Sequence, residues 1–179
     1  MVLLFKFKIM SIRDMYVKHG ASEYYEQSKD SYVNPHYEYI KNCLHWMTTI
    51  IDPKVYLDLG CGNGEVTRYL TNRGYFKAMG LDPYFSKIYK ENTDRFCINC
   101  SFEFLAIKGI PFTYDTIIAS YSIHLCLPSF RKQLYYQLSK ICKYLVIISP
   151  NDNYTIDEHF TLINETKMGK SHCKIWKTI

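Results

Sequence analysis

Residues 55–67 read Val-Tyr-Leu-Asp-Leu-Gly-Cys-Gly-Asn-Gly-Glu-Val-Thr, and no other stretch limits the fold as strongly. An alternating apolar run, Val55, Leu57 and Leu59, breaks into glycines at every second position: Gly60, Gly62 and Gly64. A helix-like pattern follows, with Val66, Tyr69 and Leu70 apolar and Arg68 and Thr71 polar, before Gly74 stops it. Strand, glycine turn and helix start in this order make the layout that cradles a nucleotide-like ligand at the open end of a strand. Glycines let the backbone pass close to the ligand without a Cβ in the way.

The spacing also selects among ligands. A dinucleotide fingerprint would place its last glycine at position 65, which is Glu65. The pattern is instead Asp-x-Gly-x-Gly-x-Gly, starting at Asp58. It resembles the first motif of the class I S-adenosylmethionine-dependent methyltransferases. That resemblance implies that Asp58 helps hold the cationic end of the methionine moiety. It also implies that the turn Gly60-Cys61-Gly62-Asn63-Gly64 makes room for the methionine half of the cofactor. Downstream, the strand-like stretch Phe76–Leu81 ends in Asp82-Pro83. An acidic residue about 20 positions beyond the glycine turn is where a ribose diol is gripped, because one carboxylate accepts hydrogen bonds from two vicinal hydroxyls. Asp82 also reads as a helix N-cap, a role compatible with ribose binding.

A chain of 179 residues with 47% hydrophobic content suits one domain with a single core. No apolar run approaches the roughly 18 residues of a membrane helix. The segment 1–10 is apolar but carries Lys6 and Lys8 and no small-residue cleavage site, so it does not read as a signal peptide. Seven scattered cysteines fit a reducing cytosol better than a disulfide scaffold, and a cytoplasmic protein is expected. Cys97-Ile-Asn-Cys100 lacks the second ligand pair of a zinc site, and no metal is expected. Net charge is +5. Lys167, Lys170, Lys174 and Lys177 fall on the last hairpin, where lysine discourages edge pairing. There is no dense basic stripe with interleaved aromatics, so a nucleic-acid partner lacks support.

Along the chain, Ser22 caps a short helix through Lys29, and Asn34-Pro35 reads as N-cap and first helical residue. Ile40, Leu44, Met47 and Ile51 then form one buried helix face. Strands are expected at about 55–59, 76–81, 96–100, 115–120 and 144–149. Phe130, Leu134, Leu138 and Ile141 make an amphipathic helix. Residues 159–166 and 171–178, joined through Met168-Gly169, form an antiparallel hairpin. The fold class is therefore α/β: a Rossmann-like, doubly wound, mostly parallel sheet with a C-terminal antiparallel hairpin, in a three-layer α/β/α arrangement. The methyltransferase resemblance implies the same sheet order. Residues 1–20 read as an N-terminal extension and 21–179 as one domain, with 21–53 as N-terminal helices or lid. Only about nine residues separate the fifth strand from the hairpin, which makes this a minimal version of the fold.

Further site residues follow from the ends of the strands. The turn Ser101-Phe102-Glu103 should reach the adenine, with Phe102 stacking and a Ser101 or Cys100 backbone group reading the ring edge. Ser120-Tyr121-Ser122-Ile123-His124-Leu125 lies where the sulfonium methyl should point. It lacks the Asn/Asp-Pro-Pro-aromatic signature of similar enzymes that methylate exocyclic or amide nitrogens, which argues against those acceptors. His124 is the candidate general base, although methyl transfer also runs on proximity and alignment alone. Tyr24 and Tyr32 are candidate lid phenols near the methionine carboxylate, with His19 and His36 as further candidates. Two functions emerge. One is a methyltransferase acting on an unidentified small molecule, RNA or protein. The other is a cofactor-binding subunit that activates or stabilises a protein partner. Neither involves a membrane.

Overall fold

The computed structural model describes residues 34–152, 156 and 158–179. Seven strands carry the period-2 patterns: β1 (Val55–Leu59), β2 (Lys77–Leu81), β3 (Cys97–Ile98), β4 (Tyr114–Ser120), β5 (Cys142–Ser149), β6 (Phe160–Met168) and β7 (Ser171–Thr178). They form one sheet in the order β3-β2-β1-β4-β5-β7-β6. The first five pair in parallel, while β7 runs antiparallel to both β5 and β6. This is the mixed Rossmann-like sheet expected from the sequence. Its order reverses between β1 and β4, which opens a crevice at their carboxyl ends.

Among the described residues five helices flank the sheet: α1 (Tyr37–Ile50), α2 (Glu65–Thr71), α3 (Ser86–Thr93), α4 (Phe102–Lys108) and α5 (Pro128–Ser139). Alternation along the strands splits the core in two. Leu57, Leu59, Ile117, Ala119, Leu145 and Ile147 face α4 and α5 through Leu105, Leu134 and Leu138. Tyr56, Ile118, Val146 and Ile148 face α1 and α2 through Ile40, Leu44, Met47, Val66 and Leu70. The α1 stripe of Ile40, Leu44, Met47 and Ile51 is buried throughout. Among the described residues no helix is long and apolar enough to cross a membrane.

Four local expectations change. Asn34 does not cap α1. Its Oδ1 accepts from His36 N at 2.9 Å and its carbonyl from Tyr37 N at 3.3 Å, a turn that delays the helix to Tyr37. The third strand is only two residues long, not five. β2 ends at Leu81, so residues beyond Ile98 have no backbone to pair with, and Cys100 lies in the loop before α4. Lys174 and Lys177 do not guard a sheet edge. They lie on β7, which is enclosed between β5 and β6, and only Lys167 sits on the edge strand. The helix α3 starts at Ser86 after Phe85, not directly after Asp82, and α4 was not anticipated. α3 buries one residue, Tyr89, and so shows no apolar stripe to read. The short helix from Ser22 to Lys29, the lid tyrosines, His19 and the extension 1–20 lie outside the described residues.

Candidate functional site

The crevice holds a cavity of about 420 Å³, walled by the glycine turn after β1, the end of β2, the start of α4 and the loop after β4. Its geometry begins with how the turn is tied down. Gly60 N and Cys61 N donate to Leu81 O at 2.8 and 3.2 Å, joining the turn to the end of β2. Ser122 Oγ donates to Leu59 O at 2.6 Å, joining it to the loop after β4. Gly60 has φ +70°, and a Cβ there would stand 2.4 Å from Ser122 Cβ, so only glycine permits this approach. Gly64 does not line the cavity. It starts α2 at φ +88°, where a Cβ would meet Thr93 Cγ2 at 2.4 Å, so it serves the packing of α2 against α3.

Asp82 is the anchor of the cavity. Its Oδ1 accepts from Tyr84 N and Phe85 N at 2.8 and 3.0 Å, and its Oδ2 accepts from Gly62 N at 3.1 Å. One carboxylate thus braces both the glycine turn and the entry to α3, which begins after Phe85 rather than directly after Asp82. Counting lone pairs, one acceptor position remains, on Oδ2. Burial raises the Asp82 pKa, against the opposing pull of those three N–H bonds.

Asp58 is 1% exposed, and its carboxylate accepts from Thr67 Oγ1 at 2.9 Å. Desolvation pushes its pKa up to about 8; Thr67 opposes the shift, and Asp82 and Glu65 add to it. Glu65 is also raised by burial, against hydrogen bonds from the Asn34 side chain and backbone. The cavity wall contains Asp58, Glu65, Asp82 and Glu103 but, among the described residues, no Lys, Arg or His.

Phe102 is 9% exposed and belongs both to the core and to the cavity, its Cζ 3.3 Å from where a Gly60 Cβ would sit. Ser101 caps α4 by accepting from Phe104 N at 3.2 Å. Ser120 presents a buried Oγ with no hydrogen-bond partner among the described residues. Tyr121 takes φ +53°, rare for an aromatic residue. Its phenol is 2.7 Å from Ser171 Oγ and its ring stacks on His36 at 4.8 Å.

Residues 33–159 match the methyltransferase domain family. The chain belongs to that family. No curated protein sequence matches this methyltransferase. Its fold is similar to that of magnesium protoporphyrin IX methyltransferase from Synechocystis PCC 6803 with bound S-adenosylmethionine, at 14% identity and TM-score 0.64, covering 94% of this chain and 95% of that one. It is also similar to N-methyltransferase NodS from Bradyrhizobium japonicum WM9 in complex with S-adenosylhomocysteine, at 11% identity and TM-score 0.63, covering 81% and 88%. A third similar structure is an S-adenosylmethionine-dependent methyltransferase from Aquifex aeolicus, at 14% identity and TM-score 0.63, covering 86% and 98%.

In this methyltransferase Asp58, Gly60, Cys61, Gly62, Asp82, Pro83, Ser101, Phe102 and Ser120 all line one cavity. His124 does not. Its side chain is exposed on the short turn Ile123–Leu125, while Leu125 and Ser122 face the cavity. Desolvation by neighbouring groups and the Arg131 guanidinium hold its pKa below the ordinary imidazole value. His36 stacks on Tyr121 and is likewise absent from the wall. The candidates Tyr24 and Tyr32 lie outside the described residues. Sequence reasoning missed Asn34 and Glu65 as wall residues, Ser122 as the clamp on β1, and Thr67 and Tyr89 behind Asp58. The one local signal was Thr67, a hydroxyl beside the apolar Val66 and Leu70 on a short helix.

Proposed function

We propose that the cavity binds S-adenosylmethionine and that the protein transfers its methyl group to a neutral or amine nucleophile. The observation carrying this reading is the convergence on one cavity of Asp58, the glycine turn, Asp82 and the Ser120–Ser122 loop. The residues fit the cofactor. A Cβ on Gly62 would meet nothing within 4 Å, so the turn leaves open space. Asp82 Oδ2 retains an acceptor position for a ribose hydroxyl, and Ser120 Oγ awaits a partner.

S-adenosylmethionine supplies an activated methyl group on a sulfonium sulfur. The chain's own part is to bind and align. Asp58 would hold the α-ammonium group, Asp82 the ribose and Phe102 the adenine face. Ser122, Leu125 and Leu127 line the same cavity and would be available to an acceptor. A wall that carries four acidic side chains, Asp58, Glu65, Asp82 and Glu103, and no described cation offers nothing to pair with a phosphate or carboxylate and favours a neutral or basic acceptor. The seven free, buried thiols support a reducing, cytoplasmic setting.

Calorimetric titration tests the cofactor: S-adenosylmethionine should bind and NADH should not, and tighter NADH binding would overturn the reading. Incubation with methyl-labelled cofactor and separated amine, RNA and protein fractions then tests the acceptor. Label confined to a phosphate-bearing acceptor would overturn the acceptor class.

A further inference from the structure

Behind Asp58 stands a buried hydroxyl pair that cavity contacts alone do not require. Tyr89 is 0% exposed and is the single buried residue of α3. Its ring fills space that glycines leave open: a Cβ on Gly80 would stand 2.7 Å from its Cε1 and Cζ, and one on Gly64 3.2 Å from its Cδ2. Thr67, also 0% exposed, places Oγ1 2.9 Å from the Tyr89 hydroxyl and 2.9 Å from Asp58 Oδ2.

The direction of this chain follows from its donors. A buried phenol must donate its proton, and among the described residues Thr67 is the acceptor within reach of Tyr89. Thr67 therefore accepts from Tyr89 and donates its own single proton to Asp58. Both protons point toward the carboxylate, which is the order that suits its ionised form. Protonating Oδ2 would reverse the chain and strand the Tyr89 proton beside Cys61 and Cys97. The other titratable groups around Asp58 do not help its charge. Glu65 on α2 and Asp82 at the end of β2 oppose it, Arg68 on α2 acts on Glu65, and Tyr56 on its own strand and Cys61 in the turn are neutral.

We propose that Tyr89 is a positioning residue for cofactor capture: acting through Thr67, it orients Asp58 and favours its ionised form, the carboxylate that receives the α-ammonium group of the methionine moiety. The inference rests on the cavity being the S-adenosylmethionine site. Substitution of Tyr89 or Thr67 then raises the pH at which Asp58 becomes available, which loss of packing alone would not do.

The test is calorimetric titration of S-adenosylmethionine from pH 6.5 to 9 with the wild type, Tyr89→Phe, Thr67→Val and Thr67→Ser. The ligand's own ammonium titrates identically in every case, so it cancels in the ratio of dissociation constants. A shift of about one pH unit makes Tyr89→Phe bind roughly tenfold more weakly at pH 6.5, narrowing to about twofold at pH 9. Thr67→Val should behave in the same way, and Thr67→Ser should restore the wild-type profile. Ratios that stay constant with pH, or variants that bind like the wild type, would overturn the proposal while leaving the cofactor site intact. A wild-type protein that fails to bind the cofactor would instead overturn the reading on which it rests.

Discussion

Asp58→Asn should make the ligand-free protein more stable while disabling it. The carboxyl has a pKa of 3.8 in its ordinary state and about 8 in the fold, because burial penalises its charge. A raised folded value means that the native state holds the proton more tightly than the unfolded chain. Stability from this group is therefore complete below pH 3.8, declines as pH rises, and is lost by about pH 8. At pH 7 the unfolded chain gains the ionisation of a group just over three units above its ordinary pKa. At 1.36 kcal/mol per unit that is about 4 kcal/mol, a ceiling because local relaxation and water entry lower it. Asparagine keeps the shape and the acceptor for Thr67 Oγ1 but has nothing to ionise. Urea unfolding of the ligand-free proteins should show Asp58→Asn ahead by about 2–4 kcal/mol at pH 8 and level with the wild type near pH 4. Asp82 and Glu65 are raised as well, so the variant keeps some slope, and the difference between the two curves isolates Asp58. A difference that does not vary with pH, or a variant less stable throughout, would refute the reasoning. Affinity for S-adenosylmethionine should fall in parallel, since the ammonium loses its counter-charge.

Asp82→Ala should cost both binding and folding. It removes the shared carboxylate acceptor of the Gly62, Tyr84 and Phe85 N–H groups, hydrogen bonds to a charged group that are worth about 1.5–3 kcal/mol each. A melting curve and a cofactor titration check this together, and unchanged affinity would refute the ribose assignment. Gly60→Ala and Gly62→Ala should separate structure from ligand space. The first drives a Cβ to 2.4 Å from Ser122 Cβ and should lower stability by at least about 2 kcal/mol. The second meets nothing within 4 Å, so it should cost only about 1 kcal/mol of backbone strain yet weaken cofactor binding strongly. Equal losses of melting temperature in the two variants would sink that distinction.

Much of this protein was legible in local pattern. Strand β1 falls at Val55–Leu59 as its alternation demands, and the α1 stripe from Ile40 to Ile51 is buried as its spacing demands. Short-range periodicity reports such features because each element must bury one face. The motif residues Asp58, Gly60, Gly62 and Asp82 converge on one cavity because a strand, a turn and the next strand of a parallel sheet end side by side. What position along the chain could not show was how much of each side chain the fold had already used. Asp82 spends three of its four acceptor positions on backbone N–H groups that only the folded turn brings to it.

The same limit separates Ser120 from His124. Both follow β4, but the left-handed Tyr121 and the turn at Ile123–Leu125 send His124 to the surface and keep Ser120 at the wall. Lys174 and Lys177 read as edge lysines until strand order placed them on the enclosed β7. The sequence by itself determined the sheet class, the glycine turn and the two carboxylates, because those depend on spacing along one strand and its successor. Only the tertiary structure decided that Tyr89, from a helix with no apolar stripe, reaches Asp58 through Thr67. That contact joins residues 9 and 22 positions apart across two packed helices, and it arises only because Gly64 and Gly80 leave room for the ring.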